Sequence, residues 1–102
     1  MQLKIEKLRK LARGRVCLIN TPECCHDPER TVLCHIRRGN VGGTGLKPHD
    51  LIALPGCDIC NDISDGGRKS SWSRSEIDEA ILGGYAIWIN YLLKQEIVVV
   101  CI

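Results

Sequence analysis

Apolar and polar positions follow different periods in different parts of this chain, and the changes of period mark its elements. Leu3, Leu8, Leu11 and Ala12 fall on one stripe between charged residues, with Ile5 off it, which predicts an amphipathic helix over residues 3–13. Gly14 follows as the C′ glycine that ends such a helix. Thr31-Val32-Leu33-Cys34-His35-Ile36 is apolar and rich in β-branched residues, the composition of a short strand, and His35 falls near its end. Asp50-Leu51-Ile52-Ala53-Leu54 predicts a second strand or extended segment. Pro55-Gly56 then predicts a turn into a short helix from Cys57 to about Ser64. Ile77, Ile81, Trp88, Leu92 and Leu93 mark one face of a helix over about 75–95, with Ser75 and Asp78 as its capping box. Gly83-Gly84 in its middle costs roughly 1 kcal/mol per residue relative to Ala, which close packing would offset. Ile97 to Cys101 predicts a last short strand.

The stretches between these elements carry turn chemistry. Residues 16–30 are irregular, with Thr21-Pro22 and Asp27-Pro28 flanking Cys24-Cys25, so the pattern is a knuckle that presents thiolates. Gly39 to Gly45 is a glycine-rich loop followed by Lys47-Pro48. It is not a P-loop, because no Gly-Lys-Ser/Thr ending follows and no helix begins there. Arg68 to Ser73 is a polar linker, and no internal repeat appears. The reading is one α+β domain over 1–102, with its core at about 12–65 and helices flanking it on both sides.

Composition narrows how that core is held. With 102 residues, no Phe, two Trp and two Tyr, Ile and Leu must fill most of it, and chains of this size often need a metal or disulfide staple. Seven cysteines provide the material. The first fifteen residues alternate charge with Leu and lack the continuous apolar region of a signal peptide, so a cytoplasmic location with reduced thiols is expected. That favours metal over disulfides and removes a disulfide-rich secreted domain. The longest apolar run, Ile97 to Ile102, is too short to span a bilayer. Cys57-x-x-Cys60 is a common metal knuckle, in which two thiolates reach one ion across a tight turn. Cys17, Cys25, Cys57 and Cys60 would complete a tetrahedral structural zinc site. Cys24 is open as an alternative to Cys25, and His26 is a further candidate.

His35 lies between the two halves of this site, with Arg37-Arg38 and the glycine loop after it. In a small ββα-metal motif a neutral histidine takes a proton from the water that attacks a phosphodiester, and an imidazole titrates in the range that suits this work. A solvent-facing or merely hydrogen-bonded histidine is the bland alternative. Net charge is only +2, yet Lys4, Lys7, Arg9, Lys10, Arg13 and Arg15 load the first segment, compatible with a phosphate backbone as partner.

Taken together, Ala12-Arg13-Gly14-Arg15 before Cys17, Pro22 with Cys25 behind it, Leu33-Cys34-His35-Ile36-Arg37, Gly42-Gly43-Thr44-Gly45, Lys47-Pro48, Asp50-Leu51-Ile52-Ala53 and Cys57-x-x-Cys60 resemble the YbcO family of phage and prophage nucleases. That family belongs to the wider HNH, or His-Me finger, group, and the resemblance covers roughly residues 8–65. It implies a zinc-stapled ββα-metal core with His35 as general base. It also implies a phage or prophage origin and a bacterial host cytoplasm. Asn61 stands where the family carries a histidine that helps to bind a catalytic divalent ion, and its amide oxygen suits Mg²⁺ or Mn²⁺. Asp50 sits near the motif's central asparagine, which orients the loop and the base. Cys34 replaces a small residue where many HNH enzymes place a metal ligand, a position at which a thiolate matches Mg²⁺ poorly. Asp62 and Asp65 are nearby carboxylates. Arg13, Arg15, Arg37, Arg38 and Lys47 would contact phosphates without reading bases. The expected function is a metal-dependent endonuclease acting on DNA. The alternative, favoured by Asn61 and Cys34, is a zinc-stapled DNA-binding or protein-interaction module without catalysis.

Overall fold

The computed structural model of the chain describes residues 5–38 and 49–98. The glycine-rich loop, Lys47-Pro48 and residues 99–102 lie outside the described residues. The elements are helix α1 (Glu6–Ala12), a 3-10 turn (Pro28–Arg30), strand β1 (Thr31–His35), strand β2 (Ala53–Cys57), helix α2 (Asp58–Ser64) and helix α3 (Arg74–Lys94). β1 and β2 pair antiparallel, with Thr31 opposite Cys57 and His35 opposite Ala53. α2 leaves β2 directly, so β1, β2 and α2 form a ββα unit. α1 lies against β1 and α3 against β2.

The second strand departs from the sequence expectation. Asp50 and Leu51 form a turn, and Pro55-Gly56 belong to the strand instead of ending it. In a two-stranded sheet every strand is an edge, where the missing N–H of Pro55 costs nothing. Its carbonyl accepts from the Leu18 N–H at 2.9 Å, which ties the thiol-bearing loop to the sheet. Gly56 is required by its neighbours: a Cβ there would meet Ile19 Cδ1 at 2.7 Å and Cys34 Sγ at 2.9 Å.

The cap of α3 lies two residues before the predicted one. Ser73, not Ser75, is the N-cap; its hydroxyl accepts from the Glu76 N–H while the Glu76 carboxylate accepts from the Ser73 N–H. Glu reaches back where the Asp of the overlapping Ser75/Asp78 match would be too short. Ile77, Ile81, Trp88 and Leu92 are buried as expected, whereas Leu93 is 41 % exposed. Burying side chains of this size stabilises by about 1.5–3 kcal/mol each. The glycine pair divides in role, since Gly83 faces open space while Gly84 lies against the Leu18 backbone and Leu54. After the helix the chain folds back: Glu96 takes a positive φ of 55°, and the Ile97 and Val98 N–H groups both point at the Leu92 carbonyl. Those two residues therefore finish the helix instead of beginning a strand.

Candidate active site

Two groupings of polar chemistry flank the sheet. In the first, the sulfurs of Cys17, Cys24, Cys57 and Cys60 all lie within 4.8 Å of one another, and all four residues are buried. Tetrahedral zinc with Zn–S of about 2.3 Å separates its sulfurs by roughly 3.8 Å, and Cys24 Sγ lies 3.9 Å from Cys57 Sγ. Each sulfur also has a local partner. The N–H groups of Asn20, His26 and Cys60 point at Cys17, Cys24 and Cys57, each at 3.4 Å, and the Thr21 hydroxyl lies 3.3 Å from Cys60 Sγ. Such outer hydrogen bonds orient thiolate ligands. Four thiols packed together without a cation cannot all ionise. The Cys17 thiol is pulled down to about 4 by its hydrogen bond from Cys60, while burial pushes Cys24 up to about 11. A dication removes that conflict, so the donor set fits zinc.

The fourth sulfur of this cluster is that of Cys24, which the sequence left open as the alternative to Cys25. The Cys24 N–H bonds the Thr21 carbonyl, so the turn opened by Thr21-Pro22 aims Cys24 inward. His26, at φ 56°, returns its own N–H to that sulfur. Cys25 is left half-buried, its sulfur within 4.8 Å of Cys57 Sγ and of the Asp58 carboxylate but outside the four-sulfur cluster. The His26 side chain is exposed and outside the cluster.

The second grouping lies at the other end of β1. A cleft of about 300 Å³ is lined by Arg9, Arg13, Val32, Leu33, His35, Arg37, Asn61 and Asp65. His35 is buried, with its Nε2 2.8 Å from Asp50 Oδ1. Asp50 is 1 % exposed, and its two oxygens receive four hydrogen bonds. Oδ2 accepts from the Ile5 N–H at 2.7 Å and Arg9 Nε at 3.0 Å, and Oδ1 accepts from Arg9 Nη2 at 3.1 Å and from His35. Burial opposes ionisation of Asp50, but the bonds from Arg9, His35 and Ile5 together outweigh it and hold the carboxyl well below the usual carboxylate range. An ionised, acceptor-only partner requires His35 Nε2 to carry the proton. The lone pair is then on Nδ1, which makes no hydrogen bond among the described residues.

The other expected site residues divide between cleft and scaffold. Asn61, on α2, shares the cleft with His35, as do Arg13, Arg37 and Asp65. Arg37 stands 3.8 Å from Asp65 across it. Asp62 is exposed, 4.0 Å from Arg68, and does not line the cleft. Arg15 bonds the Leu11 carbonyl and the Tyr91 hydroxyl, both at 2.7 Å, and stacks over the Tyr91 ring at 4.3 Å. Arg38 bonds the Ser64 carbonyl at the end of α2 and pairs with Asp78 on α3. Both guanidinium groups are engaged by the fold and lie apart from the cleft. Cys34 turns into the core, where its thiol donates to the Gly56 carbonyl at 3.2 Å and burial pushes its pKa up. Lys47 lies outside the described residues. Sequence reasoning had not singled out Arg9 as a site residue. Its signal, one arginine among several on a basic helix, becomes distinctive only once α1 is docked beside Asp50.

A histidine at the end of the first strand, a helix that follows the second, and a buried four-cysteine cluster define a small α+β protein with a ββα core able to hold zinc. The chain belongs to the family described as "Putative nuclease YbcO", whose model matches residues 6–86 of the 102. It is 51% identical over 59 residues to a protein named "Putative nuclease YbcO" from Escherichia coli K12, and equally to one named "Putative nuclease ybcO" from Enterobacteria phage 82. Each match covers 57% of this chain and 62% of the relative, so less than two thirds of those relatives' length is spanned. A solved structure, described as "Structure of a putative bacteriophage protein from Escherichia coli str. K-12 substr. MG1655", superimposes with a TM-score of 0.69 at 35% identity. That likeness covers 88% of this chain and all of the other. No helix among the described residues is long and apolar enough to cross a membrane.

Proposed function

We propose that the protein is a metal-dependent endonuclease acting on DNA, with His35 as the general base and a separate structural zinc held by Cys17, Cys24, Cys57 and Cys60. The observation that carries this reading is the His35–Asp50 pair at the wall of an arginine-lined cleft. Asp50 holds the ring with Nε2 protonated, so Nδ1 is the atom that takes the proton from an attacking water. Arg13 and Arg37 would hold the scissile and neighbouring phosphates, positioning the backbone without reading bases. Among the described residues, Asn61 and Asp65 offer the side-chain oxygen donors of the cleft. That set suits Mg²⁺ or Mn²⁺, which usually bind one or two protein oxygens and complete their shell with water and substrate phosphate. A divalent ion there would polarise the phosphate and stabilise the leaving oxygen. The zinc cluster lies at the opposite end of β1, where Thr31 pairs with Cys57, and does no chemistry in this scheme.

Supercoiled plasmid incubated with the zinc-loaded protein and Mg²⁺ or Mn²⁺ tests the proposal. Conversion to nicked or linear forms that falls about 10²–10⁴-fold in His35→Ala supports it. Equal cleavage by both removes His35 from the mechanism. The second reading, a binding module without catalysis, draws on Asn61 standing where a histidine was expected. Salt-sensitive DNA binding with no cleavage under either ion would select it.

A further inference from the structure

We infer that Arg9 is a positioning residue for the base: it acts through Asp50 to fix which nitrogen of His35 carries the proton and where the ring points. This rests on the nuclease reading for its consequence, but the geometry that suggests it does not. Arg9 is the only side chain of α1 bonded to Asp50, and it meets the carboxylate with two nitrogens, one on each oxygen. The Ile5 N–H at the start of the same helix adds a third bond. Asp50 itself sits in a turn, outside any regular element. Among the described residues, only His35 would hold this carboxylate without Arg9 and the Ile5 N–H. A carboxylate with one partner can rotate about its χ angles and present either oxygen, and the imidazole then follows it.

The guanidinium also balances the charge of Asp50, so the carboxylate accepts from Nε2 as one half of an ion pair. Among the described residues, the remaining charged groups of the cleft are Arg13 just after α1, Arg37 just after β1 and Asp65 at the end of α2. None of these bonds Asp50. A lysine would keep the charge but lose the two-pronged geometry.

Arg9→Gln and Arg9→Lys, prepared with zinc, test the inference by two independent readouts. Two-bond ¹H–¹⁵N correlation spectra identify the protonation of the His35 ring. Wild type should show one neutral tautomer, protonated at Nε2, and Arg9→Gln should lose that single state. In plasmid cleavage kcat should fall roughly 10–100-fold in Arg9→Gln with KM little changed, the size expected when a reacting group is displaced by about 1 Å. Arg9→Lys should stay closer to Arg9→Gln than to wild type in both readouts. If Arg9→Gln is poorly folded by zinc content and melting, Arg9→Lys carries the test alone. An unchanged His35 tautomer overturns the inference, as does a loss confined to KM and to the salt slope, which would mark Arg9 as a phosphate contact. Should wild type cleave nothing, the nuclease reading fails while the tautomer spectra still decide the role of Arg9.

Discussion

Adding one methyl group at each of two neighbouring glycines in α3 should move stability in opposite directions. Gly83 and Gly84 both sit in the helix interior, where Ala gains roughly 1 kcal/mol over Gly from backbone propensity. A Cβ on Gly83 meets nothing within 4 Å, so Gly83→Ala should keep most of that gain. A Cβ on Gly84 would run into the Leu18 carbonyl oxygen, with Leu54 Cδ1 at 2.9 Å and the Leu18 carbonyl carbon at 3.0 Å. Two of those three atoms are backbone. They cannot rotate away, because the Leu18 N–H is bonded to Pro55 and Leu18 follows Cys17 directly. Either α3 lifts off β2 or the thiol loop shifts, and overpacking of this kind costs about 1–3 kcal/mol. A backbone clash belongs at the upper end of that range and exceeds the propensity gain. We expect Gly84→Ala to lose about 1–2 kcal/mol net and Gly83→Ala to gain up to about 1 kcal/mol. At about 4–8 °C per kcal/mol for a domain of this size, the two variants should melt roughly 10–20 °C apart. Thermal unfolding of the zinc-loaded proteins measures this directly. Gly84→Ala should also bind zinc more weakly, because its clash bears on the residue next to Cys17. A Gly84→Ala variant as stable as Gly83→Ala would refute the packing argument.

Three further outcomes follow from the same geometry. Cys24→Ser should lower zinc affinity far beyond the 10–100-fold expected for loss of an outer hydrogen bond, while Cys25→Ser keeps one zinc per chain; metal analysis after dialysis distinguishes them. The carboxyl of Asp50 has a folded pKa depressed below its unfolded value of about 3.9, so its contribution is complete above that value and is lost as pH falls through the folded one. The stability gap between wild type and Asp50→Asn, about 2–4 kcal/mol for breaking a buried charged network, should therefore be constant above about pH 5 and narrow below about pH 4 in urea titrations; a gap that widens toward acid contradicts the assignment. Arg15→Ala should cost about 1–2 kcal/mol through its lost stack on Tyr91 and hydrogen bonds. It should leave the salt dependence of DNA binding unchanged, whereas Arg13→Ala should reduce the slope by about 1.

Features set within one element are legible in the sequence, and those set by contacts between distant elements are not. Cys57-x-x-Cys60, the β1 segment with His35 at its end, and the buried stripe of α3 were readable because each depends on spacing within one element. Which thiol of Cys24-Cys25 faces inward was not, because it depends on the Thr21 turn and on the positive φ of His26. The Pro55-Gly56 pair looked like a turn. It serves a strand because Ile19 and Cys34, distant in sequence, crowd that backbone and exclude any side chain. Two overlapping capping-box matches competed at the start of α3, and side-chain length decided for Ser73 and Glu76. His35 and Asn61 were placed by resemblance, and they do face one cleft. The part played by Arg9 could not be read along the chain at all. It needs α1 folded onto the turn that carries Asp50, a contact across 41 positions. The same limit explains why Arg15 and Arg38, which share their composition with Arg13 and Arg37, prove to be tied into the scaffold.

In the proposed function a structural zinc and a histidine-based phosphodiesterase site coexist at opposite ends of one strand pair. Metal analysis and plasmid cleavage on a single His35→Ala preparation test it most directly. The expected result is one zinc per chain, a melting temperature close to wild type, and Mg²⁺- or Mn²⁺-dependent cleavage reduced by about 10²–10⁴-fold. Zinc lost together with His35, or cleavage at the wild-type rate, would contradict it.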